Sequence, residues 1–309
     1  MSNNDGIFDR APPEKEREVN GFLISYKPMG EVDTIPVPPQ PDYRDNEESN
    51  YIRKPLTDEE KEVLRKAATH FTNLLSSPDP VLSLLRAPFQ IREASANMRH
   101  YIVGNGELRN YSEDQTERLI DNGVAYNRDY ENSTVVTKPK DIQEVFLDLI
   151  KKDFRGKDKQ GYLSLNLNRT IYVNWFSVQS KEDDWYYAIG SFLVSYGAYL
   201  KRLSGKKVIL KYRSYIYDRY NWNTIGSIHL PVLSDEAILS NLTKEEREIF
   251  DRANKKEWQI RDSSMKANSV EINDSFIGLL TDLGTTDGHK PKAYDIVGGG
   301  KILGYEYEE

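Results

Sequence analysis

The densest group of side chains able to do chemistry is Tyr217-Asp-Arg-Tyr-Asn-Trp-Asn223, with His229 shortly after it. A carboxylate beside a phenol and an imidazole can hold a divalent cation or pass a proton in general acid–base catalysis. The same run also reads as the tip of an aromatic hairpin, because Asp and Asn satisfy turn backbone with their own side chains. On a strand, period-two alternation sends Asp218 and Tyr220 to one side and Arg219 and Asn221 to the other. His229 taken alone fits a hydrogen-bonded surface histidine as well as a catalyst.

Other chemistries are excluded by what the chain lacks. It has no cysteine, which removes disulfides, thiolate metal sites and cysteine nucleophiles. Histidines stand only at 70, 100, 229 and 289, too scattered for a multi-histidine zinc site. There is no Walker loop, no Gly-x-Gly-x-x-Gly after a strand, no His-Glu-x-x-His and no Gly-x-Ser-x-Gly. Gly298-Gly-Gly300 has the composition of a phosphate cradle but not the strand–helix unit around it, and reads as glycine in a mobile tail. No apolar run is long enough to span a membrane, so contact with a membrane is expected to be peripheral. The first residues have neither a basic nor an apolar region, so no signal peptide is expected and synthesis is expected in the cytoplasm.

The net charge of −7 is unevenly spread. Residues 1–50 carry −6 and seven of the fourteen prolines, leaving a body near neutrality with no bulk attraction for nucleic acid. Residues 1–55 therefore read as a flexible, disordered acidic Pro-rich arm, with one apolar island at Gly21-Phe-Leu-Ile-Ser-Tyr26 fit for a strand. Residues 56–125 form a small helical section. Thr57-Asp-Glu-Glu60 and Ser112-Glu-Asp-Gln115 are capping boxes, and Val63, Leu64, Ala67, Ala68, Phe71, Leu74 and Leu75 recur at helical spacing. Another helix is expected over Gln90–Tyr101, and Gly104-Asn-Gly106 is a turn. Residues 126–137 read as a linker, and Pro139 opens a helix bearing Ile142, Val145, Phe146, Leu149 and Ile150.

Past Gly156 the period becomes two. Strands are expected from Tyr162, over Ile171–Val178, over Trp185–Tyr199, over Val208–Tyr217 and at Glu257–Ile260, with a helix capped by Thr243-Lys-Glu-Glu246 between the last two. Half of the twenty tyrosines lie between 162 and 220, as suits half-buried strands. The tail from Asp282 reads as mostly loop with one strand. The fold class is α+β: an N-terminal arm, a helical middle, and over 138–309 an aromatic-rich antiparallel β domain, an open barrel or sandwich with one or two helices.

Four segments, in order, resemble the activity domain of the colicin M family, bacteriocins that degrade lipid II. They are Lys138-Pro-Lys-Asp-Ile142, Asp184-Trp-Tyr-Tyr-Ala-Ile-Gly-Ser-Phe-Leu193, Asp218-Arg-Tyr-Asn-Trp-Asn223, similar to the family's Asp-x-Tyr-Asp-Phe-Asn signature, and Lys256-Glu-Trp-Gln-Ile260. The resemblance covers roughly 138–260. It implies an antibacterial toxin that hydrolyses the lipid-linked peptidoglycan precursor at its pyrophosphate with Mg²⁺. Asp218 would hold the metal, Tyr220 and Asn221 would position the phosphate, and His229 would act as acid and base. Two positions depart from the family: Asn221 stands where the second Asp is found, and His229 lies later than the family's histidine and precedes Leu230 instead of Arg. An amide cannot take a proton at neutral pH.

The resemblance also implies a cognate immunity protein and action in the periplasm of a target cell, after release or injection. Asp33-Thr-Ile-Pro-Val37 resembles a TonB box, which implies a TonB-type import machinery as partner, with a secretion apparatus as the other route; a Pro-rich linker explains the same residues. The alternatives to the hydrolase are an effector of the same fold that acts by binding or membrane disturbance, and a structural or adaptor protein of a phage or secretion particle.

Overall fold

The computed structural model describes residues 15–19, 22–29, 34–41, 56–76, 92–126, 136–153, 156–157, 163–164, 169–181, 183–204, 207–222, 227–230, 238–257 and 270–308. The helices are α1 (Asp58–Ser76), α2 (Arg92–Val103), α3 (Glu113–Asn122), α4 (Pro139–Asp153), α5 (Asp183–Ala188), α6 (Lys244–Glu257) and α7 (Asp274–Leu283). The strands begin with β1 (Lys15–Val19), β2 (Phe22–Met29), β3 (Arg109–Tyr111), β4 (Gly123–Tyr126), β5 (Val136–Thr137), β6 (Gly156–Lys157) and β7 (Leu163–Ser164). They continue with β8 (Arg169–Val173), β9 (Phe176–Ser180), β10 (Ser191–Ser204), β11 (Lys207–Tyr220), β12 (Ser227–Leu230), β13 (Val270–Asn273), β14 (Tyr294–Gly299) and β15 (Leu303–Glu308).

The long antiparallel pair β10–β11 is the spine. Alternate residues Phe192, Val194, Tyr196, Ala198 and Leu200 of β10 are buried, and so are Leu210, Tyr212, Ile216 and Tyr220 of β11. The register sets Val194 opposite Ile216 and Leu200 opposite Leu210, so both strands turn one continuous apolar face the same way. Around this pair grows an eleven-stranded open sheet with the path β1-β2-β8-β10-β11-β14-β3, to which β15, β9, β4 and β5 attach. All its pairings are antiparallel except β14 with β3, which is parallel. The class is α+β with a mixed sheet. Strands β12 and β13 form a separate two-stranded ribbon, as do β6 and β7.

The helices cover the apolar face of the spine. Phe146 of α4 stacks on Tyr196 with ring centroids 6.3 Å apart, and the Tyr196 hydroxyl donates to the Pro139 carbonyl at 2.8 Å. Helix α2 is fastened through Asn97, whose amide donates to the Tyr111 hydroxyl at 2.8 Å and to the Ala188 carbonyl at 2.7 Å, while Tyr294 donates to the Asn97 carbonyl at 3.0 Å. Its N-terminus is satisfied in trans: Asp184 of α5 accepts the Glu93 and Ala94 N–H groups at 3.0 Å. Helices α1, α6 and α7 lie further out, meeting through Phe71, Phe250 and Phe276. All three expected capping boxes form, with Glu60 accepting the Thr57 N–H, Gln115 the Ser112 N–H and Glu246 the Thr243 N–H, each at 2.9 Å. Buried residues from α1 through β14 belong to one hydrophobic cluster.

Several elements differ from their sequence reading. Trp185–Tyr199 is not one strand: Asp183–Ala188 is helical, burying Trp185 and Ala188 one turn apart, and Gly190 at φ +61 reverses the chain into β10. Ile171–Val178 is split into β8 and β9, because the two pair with different stretches of β10. The buried positions accordingly change parity, from Ile171 and Val173 to Val178 and Ser180. The tail from Asp282 has the expected loop over 284–293 but two strands where one is expected. Helix α7 extends to Leu283 and β14 is an inner strand whose Tyr294 and Ile296 are fully buried. Within the arm, Lys15–Val19 and Phe22–Met29 make a hairpin paired to β8, which includes the expected island strand, and residues 34–41 pack on the sheet. Glu257 ends α6, and the rest of the expected strand at 257–260 lies outside the described residues, as does most of the expected strand from Tyr162.

Candidate functional site

Strand β11 presents two faces of opposite character. Asp218 and Tyr220 share the helix-facing side, as alternation requires, while Arg213, Tyr215, Tyr217 and Arg219 occupy the reverse.

Asp218 is 7% exposed and sits opposite Ile296 of β14. Its surroundings are phenolic and apolar: it lies close enough to Tyr111, Tyr220 and Tyr294 for its ionised form to oppose theirs, and the Tyr220 ring lies 5.1 Å from Tyr294, 5.9 Å from Tyr101 and 5.9 Å from Trp222. Burial pushes the Asp218 carboxyl up to about 8, helped by the negative charge of Asp295 and opposed by the Arg219 backbone N–H that donates to it. Burial thus favours the protonated form of this carboxyl. Burial likewise drives the Tyr111, Tyr220 and Tyr294 hydroxyls far above their usual range.

The four expected catalytic residues divide accordingly. Asp218 and Tyr220 come together, buried against the helices. Asn221 follows the end of β11 and is half-buried. His229 lies in β12, where its register partner is Glu271 of β13, in the ribbon apart from the main sheet. A Mg²⁺ ion needs several hard oxygen ligands, usually carboxylates and waters. Asp218 is enclosed by tyrosine rings, and among the described residues no cluster of three acidic or histidine side chains stands with it to complete such a set.

The reverse face is partly covered by residues 34–41, which leave a cleft over it. There Arg213, Tyr215 and Tyr217 floor a cleft of about 530 Å³, with Trp175, Leu108 and Asn110 at its sides and Val37, Pro38 and Gln40 forming one wall. No family model matches the chain, and neither the curated proteins nor the solved structures contain a match to it.

The cleft is built by close approaches. Residues 34–41 form a proline strap: Trp175 Nε1 donates to the Pro39 carbonyl at 2.7 Å, and the Pro36 carbonyl lies so near Gly197 that a Cβ there would collide with it. Thr34–Val37, part of the segment resembling a TonB box, thus packs on the sheet with Pro36 buried and Val37 exposed, while Asp33 lies outside the described residues. The glycine run at 298–300 is not a mobile tail. A Cβ at Gly298 would land on Thr116 Oγ1, one at Gly299 would lie 2.7 Å from the Arg213 guanidinium, and one at Gly300 would land on Glu117 and Ser214. This lets Arg213 lie along the strand, donating from Nε to the Gly300 carbonyl at 2.6 Å and from Nη2 to the Gly299 carbonyl at 3.1 Å. Glu113 closes the rim, 3.2 Å from the same Nη2. Tyr217 donates to Asp295 at 3.0 Å, and Arg219 pairs with that carboxylate at 3.0 Å.

None of the cleft residues is among the four candidates read from the sequence. The signal that marks them is the odd-numbered side of β11, where two aromatics fall between two arginines.

Proposed function

We propose that this protein is an antibacterial effector of the colicin M type, and that it acts on a lipid-linked envelope precursor by binding it in the cleft. The four ordered segments over 138–260 support the effector class. The observation that carries the binding mode is the separation of the two faces: the only strand-borne carboxyl of the signature is closed into the core, and the accessible cleft is on the other side. An immunity protein matched to the effector, and import or injection into the periplasm, belong to the same reading. Incubation with lipid II and Mg²⁺ tests it. The expected result is lipid II retained by the protein with its pyrophosphate linkage intact, and undiminished growth arrest by Asp218→Asn when the chain is directed to a periplasm. Release of undecaprenol overturns the binding mode, and absence of any growth defect favours a structural or adaptor role.

Hydrolysis at the pyrophosphate is the second reading. It is favoured by Asp218 being still protonated near neutral pH beside Tyr220, which makes it a proton donor for a leaving group. It requires product release that Asp218→Asn abolishes.

A further inference from the structure

We propose that the cleft over the reverse face of β11 is a saccharide site, taking a short neutral oligosaccharide of one or two pyranose rings. This rests on the cleft being the binding site of the effector and names the chemistry that it reads.

The key residue is Tyr215. Its side chain is more than nine-tenths buried, it lines the cleft, and its hydroxyl has no hydrogen-bond partner among the described residues. The hydroxyl is not itself a closed-off atom but opens on the cleft, so an occupant that covers it without a polar group would leave it unpaired, at a cost. That disfavours a purely hydrocarbon ligand. Asn110, exposed on β3 beside Val297, adds an amide without a partner among the described residues, able both to donate and to accept. Trp175 lines the same cleft. Its indole N–H is spent on the Pro39 carbonyl, which fixes the ring, and the ring leans on Tyr217 at 6.1 Å between centroids. A fixed indole offers a π face, negative at its centre, to the C–H face of a sugar ring.

Charge argues for a neutral ligand. The Arg213 guanidinium is occupied by two carbonyls and by Glu113, and Glu113 itself would repel an anion at the rim. An added peptide strand is disfavoured by the floor, because β11 is paired on both sides by β10 and β14, and β14 by β11 and β3. The volume lies within the ~300–1,000 Å³ usual for small-ligand clefts. Amides, a phenol and an aromatic plate around a neutral space match a polyol with one apolar face.

The test titrates the full chain with N,N′-diacetylchitobiose, cellobiose and maltose, and separately with inorganic pyrophosphate, following tryptophan fluorescence and heat. At least one sugar is expected to bind. Tyr215→Phe, which removes only the hydroxyl, is expected to weaken that binding about five- to tenfold, and Asn110→Ala by a similar factor, with unchanged circular dichroism. No sugar bound at about 10 mM, or affinities untouched by both substitutions, overturns the proposal. Pyrophosphate binding in preference to every sugar overturns it in favour of an anion site. If lipid II is retained while free sugars are not, the saccharide assignment fails and the effector reading stands; if sugars bind and lipid II does not, the reverse holds.

Discussion

The two faces of β11 use similar residue types toward different ends. On the helix side, Asp218 and Tyr220 are enclosed with Tyr101, Tyr111, Tyr294 and Trp222, so their polarity is suppressed by burial. On the strap side, Tyr215, Tyr217 and Arg213 line a cleft, with Tyr217 bonded to Asp295 and Arg213 to Glu113. A single strand thus carries the signature acid into the core and the binding surface out of it. Adjacent positions in sequence are the most separated in function, because side-chain direction reverses at every residue. Short motifs that mix the two parities should therefore be read one parity at a time.

Substitutions on the two sides should separate stability from binding. Tyr294→Ala, at a fully buried site on the helix side, is expected to cost ~3–5 kcal/mol in urea unfolding, whereas Tyr215→Phe on the strap side should leave the midpoint nearly unmoved. Equal losses would erase the distinction. Gly298→Ala, which drives a methyl into Thr116 and to 2.9 Å from Ile216, is expected to cost about 1–3 kcal/mol by overpacking.

The acid on the helix side also fixes a pH dependence. Folded Asp218 keeps its proton to about pH 8, whereas an unfolded aspartate loses it near 3.8, so the folded state binds more protons between these values. Stability attributable to this group is intact below pH 3.8 and is lost as pH rises toward 8, with a slope of up to ~1.4 kcal/mol per pH unit. Asp218→Asn should remove that slope in denaturant melts recorded across the window. A slope that survives the substitution belongs to another group. The smallest expected effect is that of Gly197→Ala, which pushes the Pro36 carbonyl off the sheet at about 1 kcal/mol or less. It should show as faster proteolysis within 34–41 and a red-shifted Trp175, with the helix side unaffected.

The helical section was legible in detail because capping boxes and 3.6-residue spacing are local signals: Thr57, Ser112 and Thr243 mark true helix starts. The class α+β and the alternation of Asp218 with Tyr220 were legible for the same reason. What was not legible depended on partners distant in sequence. Trp185 and Tyr186 have strand-like composition, but their segment is a helix that buries Trp185 against Tyr111, with ring centroids 5.4 Å apart. Glycines at 298–300 look like a loose tail until Thr116, Arg213 and Glu117 are seen against them. The cleft was hidden because its walls come from residues 34–41, 108–113, 175 and 297–299, which no single window joins.

The parallel pairing of β14 with β3 sets Ile296 beside Arg109, most of the chain apart. Closing so large a loop is entropically expensive before any contact rewards it, and β14 stands between the spine and β3 in the sheet. The fastening of α2 by Tyr294 and the completion of the cleft floor by Val297 and Gly298 both depend on this long-range closure. Folding of this protein should be slow, and the binding surface should be absent until β14 has docked.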